Sequence, residues 1–200
     1  AQFLVATASW VFLMQIVSDF GSDAVAGYTI AVRIVMFSIL PAWGLSNAAA
    51  TLVGQNLGAG LPDRAETTVW HIARYNSYYM GVAALLMLLF TQPIAIFFAA
   101  EGEVLQYAIS CLRIFAYGYI FWGFGMAIIQ AFNGAGDTMT PTWINVFCFW
   151  VVQVPLAYFL VLSLGFGPEG VFWAVFVSDV LIGIVGVAFF MRGKWKERTV

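Results

Sequence analysis

Charged residues are scarce in this sequence. Only 9% of its 200 residues are Asp, Glu, Lys or Arg, whereas soluble domains carry about 25%. An ordinary soluble domain is therefore excluded. The formal net charge is −2, and the few basic residues form no patch. We expect no nucleic-acid partner, because binding to a phosphate backbone needs clustered Lys and Arg.

Residues for metal binding or catalysis are equally scarce. Cys111 and Cys148 fall inside apolar runs, without a second Cys or a His at metal-ligand spacing. We interpret both as small packing residues and expect no metal site. The sequence also has no nucleophile paired with a base and no nucleotide-binding loop, so we expect no enzymatic activity.

Long apolar runs take the place of these features. The stretches without any charged residue are 34–62, 75–100, 114–136 and 138–168. A helix that crosses a hydrocarbon core about 30 Å thick needs roughly 20 residues, and each stretch is long enough. We predict an all-α integral membrane protein, a six-helix bundle with spans near 1–18, 25–54, 67–92, 106–131, 141–163 and 170–191 and a tail at 192–200.

Lys and Arg are distributed unevenly over the predicted connections. The opposite loops 19–24, 99–105 and 164–169 contain none. One side of the bundle holds six, namely Arg64, Arg74, Arg192, Lys194, Lys196 and Arg198. Positive residues accumulate on the cytoplasmic side of membrane proteins. We therefore expect a multi-pass protein of the plasma membrane with a cytoplasmic C-terminus.

Two connections on that side carry the most specific patterns. The first reads GQNLGAGLPDRAE over 54–66, and the second reads NGAGDTMTP over 133–141. Glycine ends helices in left-handed geometry, and proline suits the first turn of the next helix. We expect tight turns built from Gly54, Gly58 and Gly60 and from Gly134, Gly136, Asp137 and Pro141.

Together, these patterns resemble the multidrug and toxic compound extrusion family. The matching residues are Ala31, Arg33, Ile34 and Gly44, then GQNLGAG with Arg64-Ala65, and NGAGDT with Pro141. The whole chain resembles the C-terminal six-helix half of a twelve-helix antiporter. Because the chain starts at Ala1 inside an apolar stretch, we expect this start to be a cut through a larger protein.

The resemblance implies a fold of two lobes around a central cavity in a lipid bilayer. The partner would be the N-terminal six-helix lobe of the same polypeptide. The activity implied is exchange of H⁺ or Na⁺ for amphipathic, often cationic small molecules, and the coupling ion is the only cofactor implied.

The carboxylates that bind the coupling ion in one branch of the family have no counterpart at the matching positions of this sequence. Members that couple to Na⁺ carry carboxylates in the seventh and tenth helices. Here the first span has no acid before Asp19, and the fourth has none between Glu103 and Asp137. Trp122 stands about where the tenth-helix carboxylate would be. We therefore expect the coupling acids mainly in the N-terminal half.

A polar stripe marks the second span. The residues that recur every four positions are Trp43, Asn47, Thr51 and Gln55, so they share one helix face. Lipid offers amides no partner, and we expect this stripe to face the substrate cavity or to bond a neighbouring helix. Gln130 and Trp122 of the fourth span are further cavity candidates, although Trp122 is open to ordinary packing as well as to cation–π contact.

Small residues recur every four positions in the fourth span. They are Gly123, Ala127, Ala131 and Ala135. Small residues let two helix backbones approach closely in a membrane. This ridge predicts a close helix contact.

Three ionisable residues fall at a similar depth inside predicted spans: Arg33, Arg113 and Asp179. A lone charge in a bilayer is costly. We predict that Asp179 pairs with one of the two arginines. The alternative hypothesis is that Asp179 takes part in proton or cation coupling.

Two other functions compete with drug efflux. A related flippase of lipid-linked saccharides would need several cationic side chains for phosphate, and only Arg33 and Arg113 are available. The second alternative is a membrane scaffold that transports nothing.

Overall fold

The computed structural model describes residues 2–98 and 101–197, and the regular structure of this part is helical throughout. The helices are α1 (Gln2–Ser18), α2 (Ser22–Gly58), α3 (Pro62–Leu89), α4 (Thr91–Phe97), α5 (Gly102–Gly134), α6 (Met139–Ser163) and α7 (Glu169–Met191). A short 3₁₀ turn, Lys194–Glu197, follows α7. The predicted all-α bundle is confirmed.

Four of these helices are long and apolar enough to cross a membrane by themselves: α2, α5, α6 and α7. The pair α3 and α4 makes a fifth crossing if both belong to one span, and α1 contains a shorter apolar helix, Leu4–Ser18. Each of the six predicted spans is thus helical in the part of the chain that the structure describes. The first of the six, however, is shorter than the others, and the third is bent.

The third predicted span, 67–92, differs most from the structure. Helix α3 ends at Leu89, and α4 leaves it at an angle of 82°. The hydroxyl of Thr91 donates to the carbonyl oxygen of Met87 at 2.6 Å, which satisfies one of the carbonyls at the end of α3. Pro93 lies in the first turn of α4, where a helix needs no backbone N–H from it.

Helix α6 is not a regular α-helix. Its segments Val146–Gln153 and Phe159–Ser163 are π-helical, and they flank the α-helical stretch Val154–Tyr158 that contains Pro155. Proline removes a backbone donor inside a span. The wider π turns beside it are a known way to accommodate such a break and occur often at functional sites.

Helix α5 lies at the centre of the bundle and packs against α2, α3 and α7. Its closest approach is to α2. A Cβ added to Gly134 would lie 2.7 Å from Cα of Ala50 and still closer to its carbonyl oxygen, and a Cβ at Gly54 would lie 3.2 Å from the carbonyl oxygen of Gly134. No side chain fits between the two backbones at this point.

The ridge of small residues on α5 makes the close contact predicted for it. A Cβ at Gly123 would lie 2.6 Å from Cγ of Met80 on α3. Ala127, Ala131 and Ala135 are buried in the same region. The amide of Asn76 fixes this contact, because its Nδ2 donates to the carbonyl oxygen of Gly123 at 2.7 Å and to Oγ of Ser46 on α2 at 3.0 Å.

The two glycine-rich connections end their helices in the same way. In the first, Gly60 has φ 72°, and Leu61 N donates to the carbonyl oxygen of Asn56 at 2.8 Å. In the second, Gly136 has φ 74°, and Asp137 N donates to the carbonyl oxygen of Phe132 at 2.9 Å. Both are Schellman motifs, in which a left-handed glycine lets the chain leave the helix.

The turn prediction is therefore right for Gly60 and Gly136, which have positive φ angles. Gly58 and Gly134 are the last residues of α2 and α5, directly before the turns, whereas Gly54 lies inside α2 and the prediction is wrong for it. At Gly54 and Gly134 the two helices touch.

The starts of α3 and α6 agree with the prediction that proline lies in the first turn of the helix after each glycine-rich connection. Pro62 opens α3, and Pro141 lies in the first turn of α6. Asp137 caps the start of α6, since its Oδ1 accepts from the backbone N–H of Thr140 at 3.1 Å.

The C-terminal turn folds back onto α3. Trp195 is buried, stacks on Phe190 with ring centroids 4.7 Å apart, and donates from Nε1 to the carbonyl oxygen of Phe190. Nζ of Lys196 lies 2.5 Å from Oε2 of Glu66 and 3.4 Å from Oδ1 of Asp63, both in the first turns of α3.

The C-terminal turn and the two glycine-rich connections thus belong to one end of the bundle, here named the glycine-loop end (residues 59–61, 135–138 and 192–197). Arg198, assigned to this side from the sequence, lies outside the described residues.

We predict that Gly134→Ala destabilises the lobe by about 1–3 kcal/mol, the usual cost of overpacking a close contact. The added methyl group would collide with the backbone of α2 at Ala50. The measurement is the thermal unfolding midpoint of the purified full-length protein. Gly44→Ala is the control, because Gly44 is also a helical glycine, in α2, but has nothing within 4 Å of its added Cβ. Equal midpoints for the two variants would contradict the close contact.

We predict that acid weakens the contact between the C-terminal turn and α3. The hydrogen bond from Lys196 lowers the pKa of Glu66 below its ordinary value of 4.5, and the bond from Trp70 adds to this. A carboxylate whose pKa falls on folding stabilises the fold above the ordinary pKa, and this contribution is lost as the pH falls through the lowered value.

When the pH is lowered from neutral to about 3, the unfolding midpoint of wild type should therefore fall further than the midpoint of Glu66→Gln. Glu103→Gln, an exposed acid in the first turn of α5, serves as the matched control and should behave like wild type. If Glu66→Gln lost as much as wild type, the contact would have no part in acid stability.

Candidate functional site

The polar stripe of α2 lies on an exposed face of the bundle. Asn47, Thr51 and Gln55 are all exposed, and Trp43, one turn earlier, exposes 43% of its surface. The hydroxyl of Thr51 donates to the carbonyl oxygen of Asn47 at 3.2 Å. The sequence prediction that these residues share a face is confirmed.

A row of four amides crosses this face from α2 through α5 to α1. Gln130 Nε2 donates to Asn47 Oδ1 at 2.9 Å. Asn133 Nδ2 donates to Gln130 Oε1 at 2.7 Å, and Gln2 Nε2 donates to Asn133 Oδ1 at 2.8 Å. We name Gln2, Asn133, Gln130 and Asn47 the amide row. It joins three helices through groups that are neutral and can both donate and accept.

Sequence reasoning found only two members of the amide row. Asn133 was assigned to a turn, yet it lies in the last turn of α5 and turns its amide to Gln130. Gln2 was not singled out, although it is the only polar residue in the first five positions. A pattern within one helix does not reveal partners that are 131 residues apart.

The rest of the outer surface is mainly apolar. Phe37, Val82 and Leu162, for example, are 67%, 59% and 76% exposed. Side chains of this kind are suited to lipid, whereas exposed amides in a hydrocarbon core lack partners. The amide row and the stripe of α2 therefore mark a face that contacts water or protein.

This face carries no acid. The sequence of α2 has none between Asp23 and its end at Gly58, and α5 has none after Glu103. Its polarity comes from amide and hydroxyl dipoles. In the described part of the chain, no group of three or more His, Cys, Asp or Glu side chains is placed to hold a metal ion.

Trp122 lies apart from the other cavity candidates. It is half-buried, meets the ring of Tyr119 edge to face at 6.4 Å, and lines a small cavity inside the lobe. The structure thus groups Asn47, Thr51, Gln55 and Gln130 on one face and assigns Trp122 to another place.

The predicted ion pair of Asp179 is wrong. Asp179 is buried in the middle of α7, whereas Arg33 and Arg113 are exposed on α2 and α5. Within the described ranges, the ion pairs are those that Lys196 makes at the glycine-loop end. Equal depth in two helices does not place two side chains on facing sides, and the helix rotation could not be read from the sequence.

Comparisons with known proteins agree with this fold. The MatE family profile matches residues 1–159. The chain is 24% identical to the "Probable multidrug resistance protein NorM" of Thermotoga maritima over 181 residues, which cover 90% of this chain and 39% of that protein. It is 30% identical to the protein of the same name from Pasteurella multocida, again over 181 residues, with 88% and 39% covered.

Two solved structures show the same helical lobe. One is described as an outward-facing conformation of a multidrug resistance MATE family transporter, with a TM-score of 0.90 and 24% identity over 99% of this chain and 45% of that one. The other is described as an inward-facing conformation of such a transporter, with a TM-score of 0.86, 24% identity, and 99% and 46% covered.

The chain spans less than half the length of these relatives. They are multidrug resistance proteins and transporters, not enzymes. Its fold is one lobe of such a transporter, and the chain belongs to the MatE family of multidrug and toxic compound extrusion proteins.

Proposed function

We propose that this chain is the C-terminal lobe of a secondary active efflux transporter. The complete protein would exchange H⁺ or Na⁺ for amphipathic, often cationic drugs and xenobiotics across the plasma membrane. The observation that carries the proposal is the amide row on an exposed face of an otherwise lipid-compatible bundle.

The chemistry of this face suits amphipathic cations. The carbonyl oxygens of Asn47 and Gln130 each have a second lone pair that can accept from a substrate ammonium group. The half-exposed ring of Trp43, one turn away, offers an apolar surface and a cation–π contact. Because the face carries no fixed charge, it selects by shape and polarity rather than by a single ion pair, which suits a broad range of substrates.

The N-terminal lobe of the same polypeptide would form the opposite wall of the cavity. The chain covers 39–46% of the relatives described above, which leaves room for such a lobe. We propose that most coupling carboxylates belong to it, because the exposed face of this lobe lacks acids. Likeness to both an outward-facing and an inward-facing transporter supports a lobe that moves nearly as a rigid body.

The proposed orientation has the C-terminus in the cytoplasm. Arg64, Arg192, Lys194 and Lys196 lie at or beside the glycine-loop end, and the contact of Lys196 with Glu66 ties the tail to the start of α3. The positive-inside rule then assigns this end to the cytoplasm. Drugs would enter the cavity from this side.

We predict that Gln130→Leu lowers drug efflux at unchanged protein level. Removing this amide breaks the bond to Asn47 and makes the face apolar, so polar substrates should lose affinity by about 3- to 10-fold, the effect of one or two hydrogen bonds. The measurement is substrate accumulation in cells that express the full-length protein, together with substrate affinity of the purified protein.

Gln106→Leu is the matched control, because Gln106 is exposed on the same helix and lies outside the amide row. It should transport like wild type. If both variants behaved alike, the face would not bind substrate. If the wild-type protein moved no drug at all, the scaffold function would be favoured instead.

A further inference from the structure

A second polar site lies inside the lobe, away from the amide row. A cavity of about 30 Å³ lies between α1, α2, α5, α6 and α7 and has room for about two water molecules. Its polar lining comes from Asp179, Gln153 and Tyr119, and Trp10 and Trp122 are among its aromatic lining residues.

Two of these side chains are buried acceptors without a donor. Asp179 is 7% exposed and Gln153 is 1% exposed. Gln153 Nε2 donates to Oγ of Ser178 at 2.8 Å, while its Oε1 accepts no hydrogen bond. Among the described residues, nothing donates to the carboxylate of Asp179 or forms an ion pair with it.

The neighbours of Asp179 bring no positive charge. Its Oδ2 lies 3.4 Å from the place that a Cβ at Gly118 would take, so the carboxylate rests on the backbone of α5. The ionisable side chains near enough for Asp179 to act on them are Tyr119 of α5 and Cys148 of α6, and neither is cationic. The parts of α1 and α2 that line the cavity contribute Trp10 and Val35.

An isolated carboxylate in such a place is strongly unfavourable, and an orphan amide oxygen beside the same cavity adds to the cost. One positive charge inside the cavity would satisfy both acceptors. The oxygen atoms that could bind this charge belong to a carboxylate, an amide and a phenol, and such oxygen ligands suit a hard cation. Only one of them carries a negative charge, so a monovalent species fits and a divalent ion does not.

We propose that Asp179 and Gln153 form a monovalent-cation site in this lobe, occupied by Na⁺ or by a proton on the carboxylate. Tyr119 completes the oxygen lining, although its hydroxyl also bonds Oγ of Ser38 at 2.8 Å. The carboxylate of the site lies in the last long helix, α7, not in the positions from which the family resemblance led us to expect coupling acids. Its use in coupling rests on the proposed transport function, but its binding of a cation does not.

The π-helical stretch of α6 gives this site a means to respond to movement. Gln153 is the last residue of Val146–Gln153, directly before the segment that contains Pro155. A π turn that relaxes to α-helical geometry changes the rotation of the residues that follow it. Such a change would turn the Gln153 amide relative to Asp179 and alter the affinity for the cation.

The test uses the purified full-length protein without drug and without an ion gradient. Thermal unfolding midpoints are measured in NaCl and in choline chloride at equal ionic strength, since a ligand that binds the folded state raises the midpoint. The fluorescence of Trp10 and Trp122, which line the cavity, is a second readout. A parallel series in choline chloride varies the pH.

Wild type should gain stability with Na⁺, and Asp179→Asn should lose this gain, while Asp19→Asn, the same change at an exposed loop position, keeps it. If the site binds a proton instead, Na⁺ should have no effect on the midpoint of wild type. The midpoints of wild type and Asp179→Asn should then diverge as the pH changes, while Asp19→Asn follows wild type. This result would also support the site. Identical Na⁺ and pH responses for wild type and Asp179→Asn would overturn the site.

Gln153→Met keeps the test decisive if Asp179→Asn does not fold. This variant removes the orphan oxygen at similar volume, and Ser178 can still donate to the carbonyl oxygen of Val175. It should shift the Na⁺ or pH response, and an unchanged response would count against the site. A protein that binds the cation but moves no drug would contradict the transport function and leave the site standing.

Discussion

The structure depends on the close approach of α2 and α5 at Gly134 and Ala50. The two backbones meet there without room for a side chain. This contact, with the Asn76 bonds to Gly123 and Ser46, fixes the rotation of both helices. It brings Asn47 and Gln130, which are 83 residues apart, within hydrogen-bonding distance. The exposed amides are thus a consequence of how two small residues let the helices pack.

The lobe separates its polar groups into three places with different partners. The glycine-loop end carries the charges that water can solvate, such as Lys196 and Glu66. The amide row lies on an exposed face and bonds mainly within itself. The cavity of Asp179 lies between the helices of the bundle. A bilayer tolerates polar groups only where protein, water or an ion satisfies them, and this separation agrees with the two-lobed transporter proposed above.

Much of the fold could be predicted because apolar runs, glycines at helix ends and prolines at helix starts are local signals. The apolar helical stretches, the Schellman glycines Gly60 and Gly136, and the capping by Asp137 all follow from neighbours in sequence. The bend before α4 was missed although Pro93 signalled it. Helix rotation was not predictable, because it is set by contacts such as Gly134 with Ala50. For this reason Asp179 was paired with arginines that it does not meet, and Gln2 was overlooked. The coupling ion, the orientation and the cavity residues stay predictions.

The most direct test of the account is the water accessibility of Asn47 in the full-length protein in its membrane. Asn47→Cys is made in a background from which every other cysteine has been removed, including the buried Cys111 and Cys148, and is treated with a membrane-impermeant thiol reagent. If the amide row lines a water-filled substrate cavity, Asn47→Cys should be labelled, and a transported substrate should reduce this labelling. Val82→Cys on the apolar surface of α3 should not be labelled. Absent labelling at position 47, or equal labelling at both positions, would contradict a substrate cavity lined by the amide row.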